Sequence, residues 1–228
     1  GSYEDTVTII TNSGNGSVSV TMKVPEPPPD LSFTPESLDF GSADTQKTFT
    51  ITNSGGETLT WKASTEQSWL SLSTSSGSLT LGKSVNITVK VDRSDLKPGS
   101  YSGTIALTSN DGDGSIAVAL SVPGLSLSPT ALEFGISDSS KTITVTNSGA
   151  GTLTWNASKK ASWLSLSSTS GSLNAGGIAR ITASVDRSGL SPADYSDTIA
   201  FSSNAGDGNV TVAMPIPGLD FDPKALSF

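Results

Sequence analysis

The chain has 228 residues, of which 34% are hydrophobic and 15% charged, with a net charge of −8 and neither His nor Cys. An acidic chain without a basic cluster is a poor binder of nucleic-acid backbones or anionic lipid. The missing residue types exclude disulfides, thiolate metal sites, His-based metal sites and catalytic triads.

Ser, Thr and Gly dominate what remains, at 42, 27 and 23 residues. Thr and β-branched aliphatics favour pleated sheet, while Gly and Ser favour turns. The composition therefore predicts an all-β protein of many short strands. No apolar run approaches 18 residues, so this segment has no membrane-inserting helix.

In chain order, "YEDTVTIITNSGNGSVSVTMKVP" (3–25) alternates apolar and polar residues around a Gly-rich turn and predicts a hairpin. "PEPPPD" (25–30) follows, a stretch that favours an extended polyproline strut. Leu31, Phe33, Leu38 and Phe40 predict a first strand split around Pro35. Phe49 and Ile51 alternate with threonines, and "TNSGG" then turns the chain. Leu59, Trp61 and Ala63 predict the next strand, followed by Leu70 and Leu72. Val85–Val91, Tyr101–Leu107 and Ile116–Val122 complete the series, the last two joined by "NDGDG". This is period two throughout, with one apolar face per strand.

The pattern then repeats. Residues 31–124 and 125–218 align without a gap over 94 positions, 53 of them identical. Residues 1–25 match 99–123 and are expected to be the C-terminal strands of a preceding repeat. Residues 219–228 match 31–40 and are expected to be the first strand region of a following one. The predicted organisation is thus a fragment at 1–25, a Pro-rich linker at 26–30, whole repeats at 31–124 and 125–218, and a second fragment at 219–228. Seven or eight short strands per repeat predict tandem immunoglobulin-like β-sandwiches. Short or stiff connections predict an elongated array.

"LKPGSY" (96–101) and "LSPADY" (190–195) place Tyr101 and Tyr195 at a strand-entry corner, where such a hydroxyl bonds upstream backbone. Trp61 and Trp155 occupy the third strand as core tryptophans. "TNSGG", "SWLSLSTSSGS" and "GSYSGTI", with their second copies, resemble the BACON-type immunoglobulin-like domain: T-N-x-G, W-L-x-x-S-x-x-S-G and G-x-Y-x-G-x-I. The second copy departs at Asp197, where the first has Gly103. The resemblance implies an extracellular, multidomain bacterial protein with an association with carbohydrate and no mapped binding residue.

Trp69 and Trp163 carry two readings. A strand regular from its first residue turns these rings outward, as ligand-binding surfaces for sugar or protein. A strand beginning one residue later makes them caps on the core.

The acids Asp39, Glu57, Glu66, Asp92 and Asp95 lie in turns and on polar faces, which reads as solvated surface rather than a glycosidase pair. "DGDG" at 111–114 becomes "AGDG" and "SGNG" in its other copies, so turn geometry explains it better than calcium. Sequons at Asn15, Asn86, Asn156 and Asn209 match the frequency chance gives in such a Ser/Thr-rich chain. No catalytic residue, cofactor or metal is expected.

The leading expectation is a non-catalytic stalk, spacer or fibre segment of a secreted or cell-surface protein. The alternative is a carbohydrate- or protein-binding adhesion module using a sandwich face or loop tips. Expected partners are neighbouring repeats, with glycans or head-to-tail copies joined by strand addition as further readings.

Overall fold

A computed structural model of the chain describes residues 1–218, and all regular structure among them is β-strand. The segment 219–228, with the strand addition expected of it, lies outside the described residues.

Residues 1–24 form a hairpin of β1 (Ser2–Thr11) and β2 (Gly14–Lys23), paired antiparallel from Ser2↔Lys23 to Thr11↔Gly14. Its turn is closed by the Thr11 hydroxyl, which donates to the Gly14 carbonyl and accepts from the Ser13 N–H.

Residues 31–122 contain nine strands: β3 (Leu31–Thr34), β4 (Ser37–Asp39), β5 (Gln46–Asn53), β6 (Leu59–Ser64), β7 (Leu70–Leu72), β8 (Ser76–Leu79), β9 (Ser84–Val91), β10 (Gly99–Ser109) and β11 (Asp113–Val122). They make a four-stranded sheet, β3-β5-β9-β7, and a five-stranded sheet, β4-β11-β10-β6-β8. The alternation is realised on the longer strands. In β6, Leu59, Trp61 and Ala63 are buried while Thr60, Lys62 and Ser64 are exposed. Phe49, Ile51 and Ile87 from one sheet and Leu59, Ile105 and Ile116 from the other are fully buried. Each such side chain contributes about 1.5–3 kcal/mol by leaving water.

The split first strand has a definite role. Its two halves, separated by Pro35, join opposite sheets: β3 pairs with β5, and β4 lies beside β11. Proline cannot donate to a ladder, so the crossover falls where no N–H is needed. The strand total exceeds the expected seven or eight because the split strand counts as two and because Ser76–Leu79 forms β8. That stretch reads S-G-S-L, which resembles a turn more than a strand.

Pro27–Asp30 docks along the turn after β5. The carbonyls of Pro27, Pro28 and Asp30 accept from the N–H groups of Glu57, Gly56 and Ser54. The prolines lose nothing here, because the segment contributes carbonyls, and Asp30 supplies the N–H that is used. Gly55 is obligatory: a Cβ there would lie 2.1 Å from the Pro28 oxygen.

Residues 125–216 repeat the scheme with β12 (Leu125–Ser128), β13 (Ala131–Glu133), β14 (Ser140–Asn147), β15 (Leu153–Ser158), β16 (Leu164–Leu166), β17 (Ser170–Leu173), β18 (Ile178–Val185), β19 (Ala193–Ser203) and β20 (Gly208–Ile216). The sheets are β12-β14-β18-β16 and β13-β20-β19-β15-β17. β13 runs parallel to β20, from Ala131↔Thr211 to Glu133↔Ala213. One apolar cluster fills the space between them, and it includes Phe134, Ile143, Trp155, Ile181, Phe201 and Val212.

Candidate functional site

Asn53 and Asn147 are polar, yet each is 0% exposed. The Asn53 amide oxygen accepts from the N–H groups of Asp30 and Gly55, at 3.1 and 3.0 Å. Its nitrogen donates to the carbonyls of Glu57 and Leu79, at 2.7 and 2.9 Å. Asn147 does the same with Gly124, Gly149, Gly151 and Leu173. All four hydrogen-bonding positions of the amide are used, which makes its burial tolerable. The asparagine of "TNSG" thus joins three separate backbone segments. The sequence showed it only as a turn residue; its recurrence in both copies was the available signal.

Arg93 and Arg187 follow the same logic. The Arg93 guanidinium donates to the carbonyls of Asp44, Phe40 and Gly41. Arg187 donates to Asp138 and Gly135. Burial lowers the Arg93 pKa, and the Asp44 carboxylate opposes that shift. The fork of donors pins the loop after β4 in one sandwich and after β13 in the other.

Trp61 and Trp155 lie in the core, 3% and 2% exposed. Each indole lies against the glycine paired with it across the strand, Gly77 or Gly171. A Cβ at Gly77 would lie 2.9 Å from the Trp61 ring, and one at Gly171 would lie 2.7 Å from Trp155. The glycine of the "S-x-x-S-G" motif is therefore a recess for the tryptophan. Trp155 also packs on Phe201, with ring centroids 6.0 Å apart. The corner tyrosines bond upstream backbone: Tyr101 donates to Lys97 O at 2.9 Å and Tyr195 to Ser191 O at 3.1 Å.

Trp69 and Trp163 precede the strands rather than beginning them, since β7 starts at Leu70 and β16 at Leu164. The two differ in exposure. Trp69 is 8% exposed. Gly103 makes this possible, for a Cβ there would meet the Trp69 ring at 3.3 Å and Gln67 Cγ at 2.6 Å. Trp163 is partly exposed and stands edge-on to Tyr195, 6.1 Å between centroids at 74°.

The position of Gly103 is taken in the second sandwich by Asp197. Its carboxylate accepts from the N–H groups of Lys160, Ala161 and Thr198, at 3.0, 2.7 and 2.8 Å. Partial burial works to raise its pKa. The three N–H groups and the Lys159 ammonium outweigh burial and hold the carboxyl below its ordinary value.

Asp197 also borders an open depression of about 420 Å³, lined by Glu133, Lys160, Ser196 and Thr198 among others. A second depression, about 500 Å³, lies over Thr60, Lys62, Gly77 and Thr108 on the first sandwich. Among the described residues, no group of three or more His, Cys, Asp or Glu side chains is placed to hold a metal ion.

Asp111, the first acid of "DGDG", accepts from the Leu31 N–H at 2.8 Å and so ties the hairpin tip to β3. The tip itself is held by Ser109, whose hydroxyl donates to Gly112 O and accepts from the N–H groups of Asp111 and Gly112. Asp39 and Asp92 accept from the N–H groups of Gly41 and Ser94.

Two sandwiches with a split first strand, a buried turn asparagine and a tyrosine corner define a tandem immunoglobulin-like protein. The viral BACON domain matches it twice, at residues 30–121 and 124–215, and the chain belongs to that family. Among solved structures it is similar to a protein of unknown function from Porphyromonas gingivalis W83, with 18% identity and a TM-score of 0.36, covering 82% of this chain and 99% of that one. It is also similar to the periplasmic chaperone SfaE, with 14% identity and a TM-score of 0.38, covering 80% and 97%. A chaperone–tip adhesion subunit complex of Acinetobacter baumannii Csu pili gives 11% identity and a TM-score of 0.37, covering 80% and 98%. No curated protein matches the chain.

Proposed function

We propose that this chain is a non-catalytic structural segment, a stalk or spacer of tandem BACON domains in a secreted or cell-surface protein. One observation carries the reading: three pairs of polar side chains repeated in both copies are used internally. Asn53 and Asn147, Arg93 and Arg187, and Tyr101 and Tyr195 all bond backbone of nearby loops. Side chains used this way hold loops in place and are not offered to a substrate. The partners under this reading are neighbouring repeats of the same chain.

A second reading, a binding module for glycan or protein, is favoured by Trp163. Its partly exposed ring stands edge-on to Tyr195, an aromatic surface of the kind that stacks on sugar or protein. A glycan array probed with the chain and with Trp163→Ala separates the two. The spacer reading expects no signal that Trp163→Ala removes. A glycan bound by the chain and lost in a folded Trp163→Ala variant replaces it with the binding module.

A further inference from the structure

In each sandwich the second half of the split first strand lies beside the last strand, β4 beside β11 and β13 beside β20. Both pairs run parallel. β13 and β20 pair from Ala131↔Thr211 to Glu133↔Ala213. Beside β11, the bonds advance in the same direction along both segments, from Ala117 N–H to Glu36 O and then from Phe40 N–H to Ala119 O.

The chain enters such a pair at the N-terminal end of one strand and leaves it at the C-terminal end of the other. In a parallel pair these two ends lie at opposite ends of the ladder. Tension along the chain therefore slides the strands past each other and loads all their hydrogen bonds together. An antiparallel pair would present both ends side by side and open one bond at a time.

One position separates the two copies. The Ala117 N–H donates to Glu36 O at 3.0 Å, and its counterpart, the Thr211 N–H, donates to Thr130 O at 3.0 Å. The Phe40 N–H donates to Ala119 O at 2.8 Å, and the Phe134 N–H donates to Ala213 O at 2.8 Å. The first sandwich then adds a bond from the Ser121 N–H to Gly41 O at 2.9 Å. The counterpart of Ser121 is Pro215, which has no N–H to give to Gly135 O. Side chains do not offset the difference. Arg93 and Arg187 donate to Gly41 O and Gly135 O alike. The Thr211 hydroxyl stands 3.5 Å from Thr130 O, too far for a strong O–H···O bond.

We propose that the parallel terminal pair is the load-bearing clamp of each sandwich, and that Ser121 against Pro215 grades the two clamps so that the second sandwich yields first under tension. Units that yield in a set order lengthen a strained segment stepwise and limit the force it passes on. The load-bearing role rests on the stalk reading; the grading rests on the hydrogen bonds alone.

Constant-force unfolding of single molecules, with the whole chain tethered at its two ends, tests this. The two sandwiches are expected to unfold at rates about fivefold apart, as the loss of one backbone hydrogen bond implies. Pro215→Ser restores the N–H and is expected to slow the faster step until it matches the slower one. Ser121→Pro is expected to quicken the slower step to the pace of the faster; should that variant not fold, Pro215→Ser decides alone. Equal rates in the unaltered chain overturn the grading, and so does a Pro215→Ser chain whose steps keep their separate rates. The chain has no Cys, so Asp207→Cys supplies a single alternative attachment point. Pulling there instead of at the C-terminal end loads β20 from its N-terminal end and peels it from β13. The second sandwich is then expected to unfold faster than any single lost bond would make it. An equal rate in the two geometries overturns the clamp. Neither failure touches the stalk reading, which the glycan array decides, and a glycan signal there leaves these rates as they are.

Discussion

At the scale of single residues, the sandwich depends on a few side chains that satisfy backbone. Asn53→Ala leaves two N–H groups and two carbonyls in the interior without their partner. The expected loss is about 3 kcal/mol or more, read as a lower denaturant midpoint at unchanged slope. Asn53→Asp keeps the acceptor but sets a carboxylate against the Glu57 and Leu79 carbonyls, so it too destabilises, more at pH 7 than in acid. Gly77→Ala pushes a methyl into the Trp61 ring and is expected to cost about 1–3 kcal/mol. Asp197 gives a pH dependence whose sign is fixed by its lowered pKa. The ionised form is favoured by folding. Its contribution is therefore present above the unfolded value near ~4 and is lost as pH falls through the lower folded value. Thermal unfolding of the second sandwich is expected to depend less on acid in Asp197→Asn, and an unchanged pH profile would count against the three N–H contacts. None of these roles was visible from residue type alone. A buried asparagine and a surface turn asparagine are written with the same letter, and only the fold reveals which carbonyls surround it.

At the scale of elements, legibility followed amplitude of alternation. Leu59–Ala63 and Val85–Val91 were readable because every second residue is apolar and each strand has one wet face. The break at Pro35 was readable for the same reason, though not the consequence that its two halves join different sheets. That consequence depends on where β11 lies, and this is long-range information. Ser76–Leu79 escaped notice because the residue paired with Trp61 is a glycine, so the period-two signal vanishes where the indole takes the space of a side chain. The loop after β4 is likewise short of apolar anchors and is held from outside by Arg93. Arg93→Lys keeps the charge but cannot reach three carbonyls with one ammonium. Amides of residues 41–45 are then expected to exchange faster while those of β5 stay protected. Equal protection in both would show that the loop holds itself.

At the scale of the whole molecule, duplication is informative about architecture and uninformative about activity. The features that recur at 94-residue spacing are those the fold needs, and they explain the family motifs: Asn53 and Asn147 for T-N-x-G, Gly77 and Gly171 for the S-G pair, Tyr101 and Tyr195 for the corner. Among the places where the copies differ, Gly103 against Asp197, with Trp69 covered and Trp163 partly open, is the clearest. The pairing pattern also bears on cooperativity. Every sheet is made of strands from within 1–24, 31–122 or 125–216, and the cluster around Trp155 draws its buried members from 132–214. A core whose buried members all come from one block is expected to unfold as a unit of its own. Ile143→Asp places an unpaired carboxylate in that cluster, a change of the kind that unfolds a marginal domain. Hydrogen exchange is expected to show residues 125–216 unprotected while β5, β6 and β9–β11 keep their slow amides. Loss of protection in both blocks at once would mean that stability is shared across the chain, and the two repeats would then have to be treated as one folding unit.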